Sequence, residues 1–151
     1  MPARRVSDNG SSMHRGTTLM ELVVVMIIVA ALAVMALPRL RAAADRAAAR
    51  AALQEAGSLF SFARRTAISR RSPVGVLIDT AAGAVIVRIG SNELARRGLR
   101  ERYGVRLTST RDSMAYDPRG PGYGAANLTV VAQRGRGAET LSVSRLGRVR
   151  R

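Results

Sequence analysis

Hydrophobic and polar positions change character twice along the chain. Residues 1–16, MPARRVSDNGSSMHRG, are polar, carry Arg4, Arg5 and Arg15 against Asp8, and show no apolar face. Such a stretch reads as a leader and not as folded structure. Leu22 to Leu37 is then an unbroken apolar run of sixteen residues, and the stretch from Thr17 to the Pro38 boundary is twenty-one. At about 1.5 Å of rise per residue this is roughly 30 Å of helix, the depth of a bilayer hydrocarbon core.

Beyond Pro38 the sequence RLRAAADRAAARAALQEAGSLFSFARRTAISRR is dense in helix formers. Leu53, Ala56, Phe60, Ala63 and Ala67 recur at spacings of three and four, while Arg46, Arg50, Arg64 and Arg71 fall mostly elsewhere on the wheel. That spacing predicts an amphipathic helix over 38–72, ended by Ser72-Pro73 because a residue preceding proline is pushed out of the α region. From Val74 the period becomes two. Val74–Ile78 and Ala84–Ile89 flank Asp79-Thr80-Ala81-Ala82-Gly83 and predict a hairpin. Further strands are predicted at Val105–Ser109, Met114–Tyr116, Leu128–Ala132 and Thr140–Val143, with a short last piece near Val149, separated by Gly- and Pro-rich turns. A β-rich head over 73–151 is marginal as an independent core, so it must pack on the apolar stripe of residues 53–67. The expected fold is α+β: a long N-terminal helix, first transmembrane and then amphipathic, packed on a C-terminal antiparallel sheet.

Other readings of the apolar run are weaker. A cleaved secretory signal would use Ala31-Leu32-Ala33, but the run exceeds the usual h-region of about 7–15 residues and has Glu21 at its mouth. Arg4-Arg5 lies too far upstream for a twin-arginine signal. A buried soluble helix is disfavoured because the run is apolar all round and little chain is left to cover it.

Composition narrows the chemistry. All 25 basic residues are Arg, against ten Asp plus Glu, for a net charge of +15. An anionic partner or surface follows naturally, although the equal number of alanines shows that base composition of the gene explains part of the excess. With no Cys and only His14, disulfides, thiol nucleophiles, His metal sites and imidazole catalysis have almost nothing to work with. No metal and no cofactor is expected.

Glu21 is the residue that needs a reason. A carboxylate drawn toward the interior of a membrane span costs on the order of 2–3 kcal/mol, so it should have a partner. Its surroundings, Arg15-Gly16-Thr17-Thr18-Leu19-Met20-Glu21-Leu22 followed by the apolar run and Pro38, resemble the class III signal of type IV pilins and pseudopilins. The resemblance implies cleavage by a prepilin peptidase between Gly16 and Thr17, N-methylation of Thr17, an assembly charge at Glu21 and a helix kink at Pro38. Thr17 stands where that family usually has Phe. A freed Thr17 amine paired with Glu21 of a neighbouring subunit would convert two desolvation penalties into one charge pair. Three Arg precede the span, whereas Arg39, Arg41, Arg46 and Arg50 follow it. Charge therefore does not favour a cytoplasmic leader, and the topology, single-pass in the inner membrane with a periplasmic head, is implied by the resemblance. So is the division into leader 1–16, transmembrane and assembly helix 17–37, amphipathic continuation 38–72 and head 73–151.

Within the head, Tyr116-Asp117-Pro118-Arg119-Gly120 and the closing Gly147-Arg148-Val149-Arg150 are similar to motifs of the GspH/FimT group. That group implies two roles. One is a minor pseudopilin of a type II secretion pseudopilus that acts on folded secreted proteins. The other is a minor pilin of a type IV pilus that binds DNA through Arg145, Arg148, Arg150 and Arg151, with Arg134 and Arg136 as candidate additions. Guanidinium groups grip phosphates bidentately, and with few aromatics such binding would ignore base sequence. The plain explanation of these arginines is solvation of a basic protein. A membrane-anchored binding domain unrelated to filaments would need the span, but not Gly16, Glu21 and Pro38 together. Enzyme readings fare poorly: Ser142 and Ser144 have no imidazole partner, the head's acids are scattered, and Gly120–Gly124 lacks the Lys-Ser/Thr of a phosphate loop.

Overall fold

The computed structural model describes residues 18–123, 127–144 and 148–150. Its elements run α1 (Leu19–Arg70), β1 (Val74–Asp79), β2 (Ala84–Ile89), β3 (Asn92–Gly98), α2 (Leu99–Tyr103), β4 (Arg106–Ser109), β5 (Ser113–Tyr116), β6 (Gly122–Tyr123), β7 (Leu128–Arg134), β8 (Gly137–Val143) and β9 (Val149–Arg150). The chain forms two compact units, divided between Leu37 and Pro38.

In the first unit the described residues are helical from Leu19 onward, and all of them are exposed. Its apolar side chains, Leu22, Val25, Ile27 and Val34 among them, find no protein cover, as expected of a helix whose solvent is lipid.

The second unit is built on the amphipathic part of α1. Leu53, Ala56, Phe60, Ala63 and Ala67 are all buried, joined by Ala49, Ala52 and Leu59. Small residues on this stripe let strands approach the helix closely, and Phe60 fills the space left between them. Every strand pairing is antiparallel, but the head contains two sheets where the sequence suggested one. The first has the order β3-β2-β1-β5-β6 and the second β4-β7-β8-β9. Both contribute alternating buried residues, Val74, Val76 and Ile78 from β1 and Leu128, Val130 and Ala132 from β7, to a core shared with α1. The split follows from chain direction: β3 leads through α2 into β4, which pairs with β7 and not with its sequence neighbours.

Three elements were not anticipated: β3, α2 and the two-residue β6, which pairs with β5 in a stretch expected to be a turn. Strand β3, NELARRG, has neither alternating apolar residues nor a buried side chain, because it is a sheet edge protected by charge. The short α2 ends on Gly104 in the left-handed region, φ 65°, whose N–H bonds to the Arg100 carbonyl. Strands β7 and β8 also run further than the sequence suggested, meeting at a turn of Gly135 and Arg136.

Candidate functional site

The start of α1 is organised by its own side chains. Thr18 Oγ1 accepts a hydrogen bond from the Glu21 backbone N–H at 3.2 Å, the N-cap interaction of a Thr-x-x-Glu capping box. Glu21 therefore sits in the first turn, where a carboxylate is favoured by the helix dipole. The Thr18–Glu21 spacing carries the signal for this cap in the sequence itself. Gly16 and Thr17, the expected cleavage site, lie outside the described residues. Pro38 falls inside α1, where it removes the N–H that would have bonded to the Val34 carbonyl, yet residues on both sides stay helical.

The four candidate arginines among the described residues do not form one patch. Arg145 and Arg151 lie outside the described residues. Arg134, at the end of β7, pairs through Nε with Asp45 at 3.4 Å and donates to the Tyr103 carbonyl at 3.1 Å. Arg136 is exposed in the β7–β8 turn next to it. Arg148 and Arg150 belong to the opposite end of the β7–β8 hairpin, about 20 Å away along strand β8 at some 3.3 Å per residue. There they meet Arg64 and Arg65 of α1, which the sequence did not single out. These four, with Ser61, Ile68 and Val149, line an open groove of about 680 Å³. Arg148 and Arg150 also border a second hollow whose lining includes Thr129, Thr140, Ser142 and Ser144.

The Tyr116–Gly120 motif shapes the neighbourhood of that groove. Gly120 N–H bonds to the Asp117 carbonyl and Asp117 N–H to the Pro121 carbonyl, both at 2.8 Å, while Asp117 Oδ1 accepts from Arg119 N–H. Pro118 pre-sets the turn, and Gly120 takes φ 102°, which other residues rarely adopt. A Cβ there would lie 3.4 Å from Ile68 Cδ1 and 3.6 Å from Arg64 Nε. Tyr116 is fully buried, its hydroxyl has no hydrogen-bond partner among the described residues, and burial pushes its pKa up to about 12.

Elsewhere several arginines are held in ion pairs. Glu55 of α1 pairs with Arg102 at 2.8 Å and Arg97 at 3.3 Å, and Arg50 pairs with Glu139 at 3.0 Å. Among the described residues, no group of three or more His, Cys, Asp or Glu is placed to hold a metal.

A membrane-length helix with an acid in its first turn, continuing as the spine of an antiparallel β head, defines a pilin-like subunit. The chain belongs to the family described as Type II transport protein GspH, which it matches over residues 52–147. Among solved structures it is similar to the type IV minor pilin FimU of Pseudomonas aeruginosa, at 15% identity and a TM-score of 0.59, over 68% of this chain and 86% of that one. A second crystal form of FimU matches at 14% identity and a TM-score of 0.57, over 67% of this chain and 90% of that one. The minor pseudopilin EpsH from the type 2 secretion system of Vibrio cholerae matches at 15% identity and a TM-score of 0.53, over 68% of this chain and 94% of that one. No curated protein matches. The family is one of structural pilins and pseudopilins, so the chain is a pilin-like protein of the GspH/FimT type that assembles with other pilins.

Proposed function

We propose that this protein is a minor pseudopilin of a type II secretion pseudopilus, anchored in the inner membrane by residues 17–37 with its head in the periplasm. A prepilin peptidase cuts between Gly16 and Thr17 and methylates Thr17, and Glu21 then pairs with the freed amino end of an adjoining subunit. The carrying observation is the fully exposed apolar run of α1 with Glu21 in its first turn, joined to a head that matches the GspH family. An uncompensated acid beside a span is costly, and a subunit interface supplies the missing cation. Pro38 locally loosens the helix where the membrane segment gives way to the head, and folded secreted proteins are the cargo the filament acts on. The second reading is a minor pilin with DNA along the C-terminal arginines, in which Arg134, already engaged by Asp45 and the Tyr103 carbonyl, would take no part.

Coexpression of the full chain with a prepilin peptidase, followed by intact-mass measurement, tests the proposal. Shortening by residues 1–16 is expected, together with co-isolation of other pseudopilins. An uncut chain would favour a plain membrane anchor, and recovery with pilus subunits alone would move the protein to the pilus.

A further inference from the structure

Arginines 64, 65, 148 and 150 converge on one groove, and its lining contains no carboxylate. None of the four is ion-paired among the described residues, whereas Arg50, Arg97, Arg102 and Arg134 all are. Four like charges gathered without a counter-ion repel one another, so an anion that fills the groove is favoured by charge complementarity.

The groove also has a directional wall. Among the described residues, strand β9 is the outer strand of its sheet and is bonded only to β8. Ser144 N–H bonds to the Arg148 carbonyl at 2.8 Å, and the register continues Val143 to Val149 and Ser142 to Arg150. In an antiparallel ladder, bonded and non-bonded pairs alternate, so Val149 falls in a non-bonded pair and turns its N–H and C=O away from β8. In the same groove Ile68 is 48% exposed and the half-buried Val149 packs against the core, so its lining is apolar as well as basic.

We infer that this groove binds an extended acidic peptide segment of a partner protein, which adds to the edge of β9 as a further antiparallel or parallel strand. Alternate residues of the segment are carboxylates that meet Arg148 and Arg150 on one face of the added strand, and those between them are apolar and lie on Val149 and Ile68 on the other, where the charges of Arg64 and Arg65 add to the attraction. Strand addition supplies backbone hydrogen bonds, and the alternation supplies specificity. A phosphodiester chain would satisfy the arginines but would leave both the open backbone edge and the apolar lining unused. The inference goes beyond the assembly role and holds whichever filament the subunit joins.

The test uses the full chain in detergent micelles and a fluorescent synthetic hexapeptide of alternating Glu and Val, read by anisotropy. Saturable binding is expected, weakened roughly tenfold by Arg148→Gln and again by Arg150→Gln, each the loss of a charge-assisted hydrogen bond. Arg65→Gln, on the helix, should also weaken it without touching the strand. A peptide of the same sequence methylated on alternate backbone amides keeps every charge but cannot pair as a strand, so it should bind at least tenfold more weakly. Equal binding of the methylated peptide would overturn the strand-addition mode. Retardation of short duplex DNA with no peptide binding would overturn the proposal in favour of a phosphate-backbone site, and binding of neither probe would overturn it outright.

Discussion

The Tyr103 hydroxyl donates a 2.9 Å hydrogen bond to Glu55 Oε2, joining the short helix α2 to the middle of α1 across 48 residues of sequence. Glu55 Oε1 meanwhile receives Arg102 and Arg97, so one carboxylate fastens both α2 and the edge strand β3 to the spine. The hydrogen bond to Glu55 raises the Tyr103 pKa, because ionising the phenol would remove the donor beside a negative charge. Glu55→Ala removes three contacts at once, two of them to exposed guanidinium groups that water can solvate instead, so it should cost about 1–2 kcal/mol in urea unfolding, and hydrogen exchange should accelerate first in residues 92–103. Tyr103→Phe removes one bond and should cost about 1 kcal/mol.

Tyr116 provides a pH signature. Its phenol rises from 10.0 to about 12 on burial. Below pH 10 the phenol is protonated in native and unfolded chains alike, and its burial adds no pH dependence. Between pH 10 and about 12 only the unfolded chain releases the proton, so stability should fall by about 1.4 kcal/mol per pH unit. Chemical unfolding across that window should show the fall. Tyr116→Phe should lessen it, and at neutral pH should be neutral or stabilising by up to about 1 kcal/mol, since a buried hydroxyl without a protein partner is removed.

Gly137 marks where the β7–β8 hairpin meets α1. A Cβ there would stand 2.6 Å from the Arg46 backbone nitrogen and 2.7 Å from the Asp45 carbonyl carbon. Gly137→Ala must push the hairpin off the helix and should cost about 1–3 kcal/mol by thermal unfolding. It should also disturb the Arg134–Asp45 pair alongside.

These particulars explain what the sequence could and could not disclose. The stripe from Leu53 to Ala67 and the strands around Val76, Val87 and Val130 were legible because burial on one face writes a period into the chain. Strand β3 was not, because an edge strand is held by backbone pairing to β2 and by Arg97 on Glu55, neither of which needs an apolar residue. The division into two sheets depends on β4 pairing with β7, a long-range choice that leaves no local trace. Arg148 and Arg150 were visible as a motif. Their companions Arg64 and Arg65 were hidden among the polar residues of the helix, because only the fold brings the C-terminus back to them. Arg134, in sequence a candidate addition to the C-terminal arginines, lies at the far end of the hairpin as a structural ion pair.

The Thr18 cap and the proposed assembly charge of Glu21 can be separated by substitution at the head of α1. If the Thr18 cap matters only to the helix, Thr18→Ala should fray the first turn at a cost of about 1 kcal/mol while leaving assembly largely intact. Thr18→Ser should behave as wild type in both respects, measured by helicity in detergent and by filament recovery.

Incorporation of the Glu21→Ala protein into sheared filaments, compared with wild type at equal membrane levels, weighs most directly on the assembly role. Loss of the mutant from the filament fraction, with its leader still removed, is the outcome required by an acid that pairs with a neighbour's amino end. Recovery of Glu21→Ala in filaments as abundantly as wild type would contradict it.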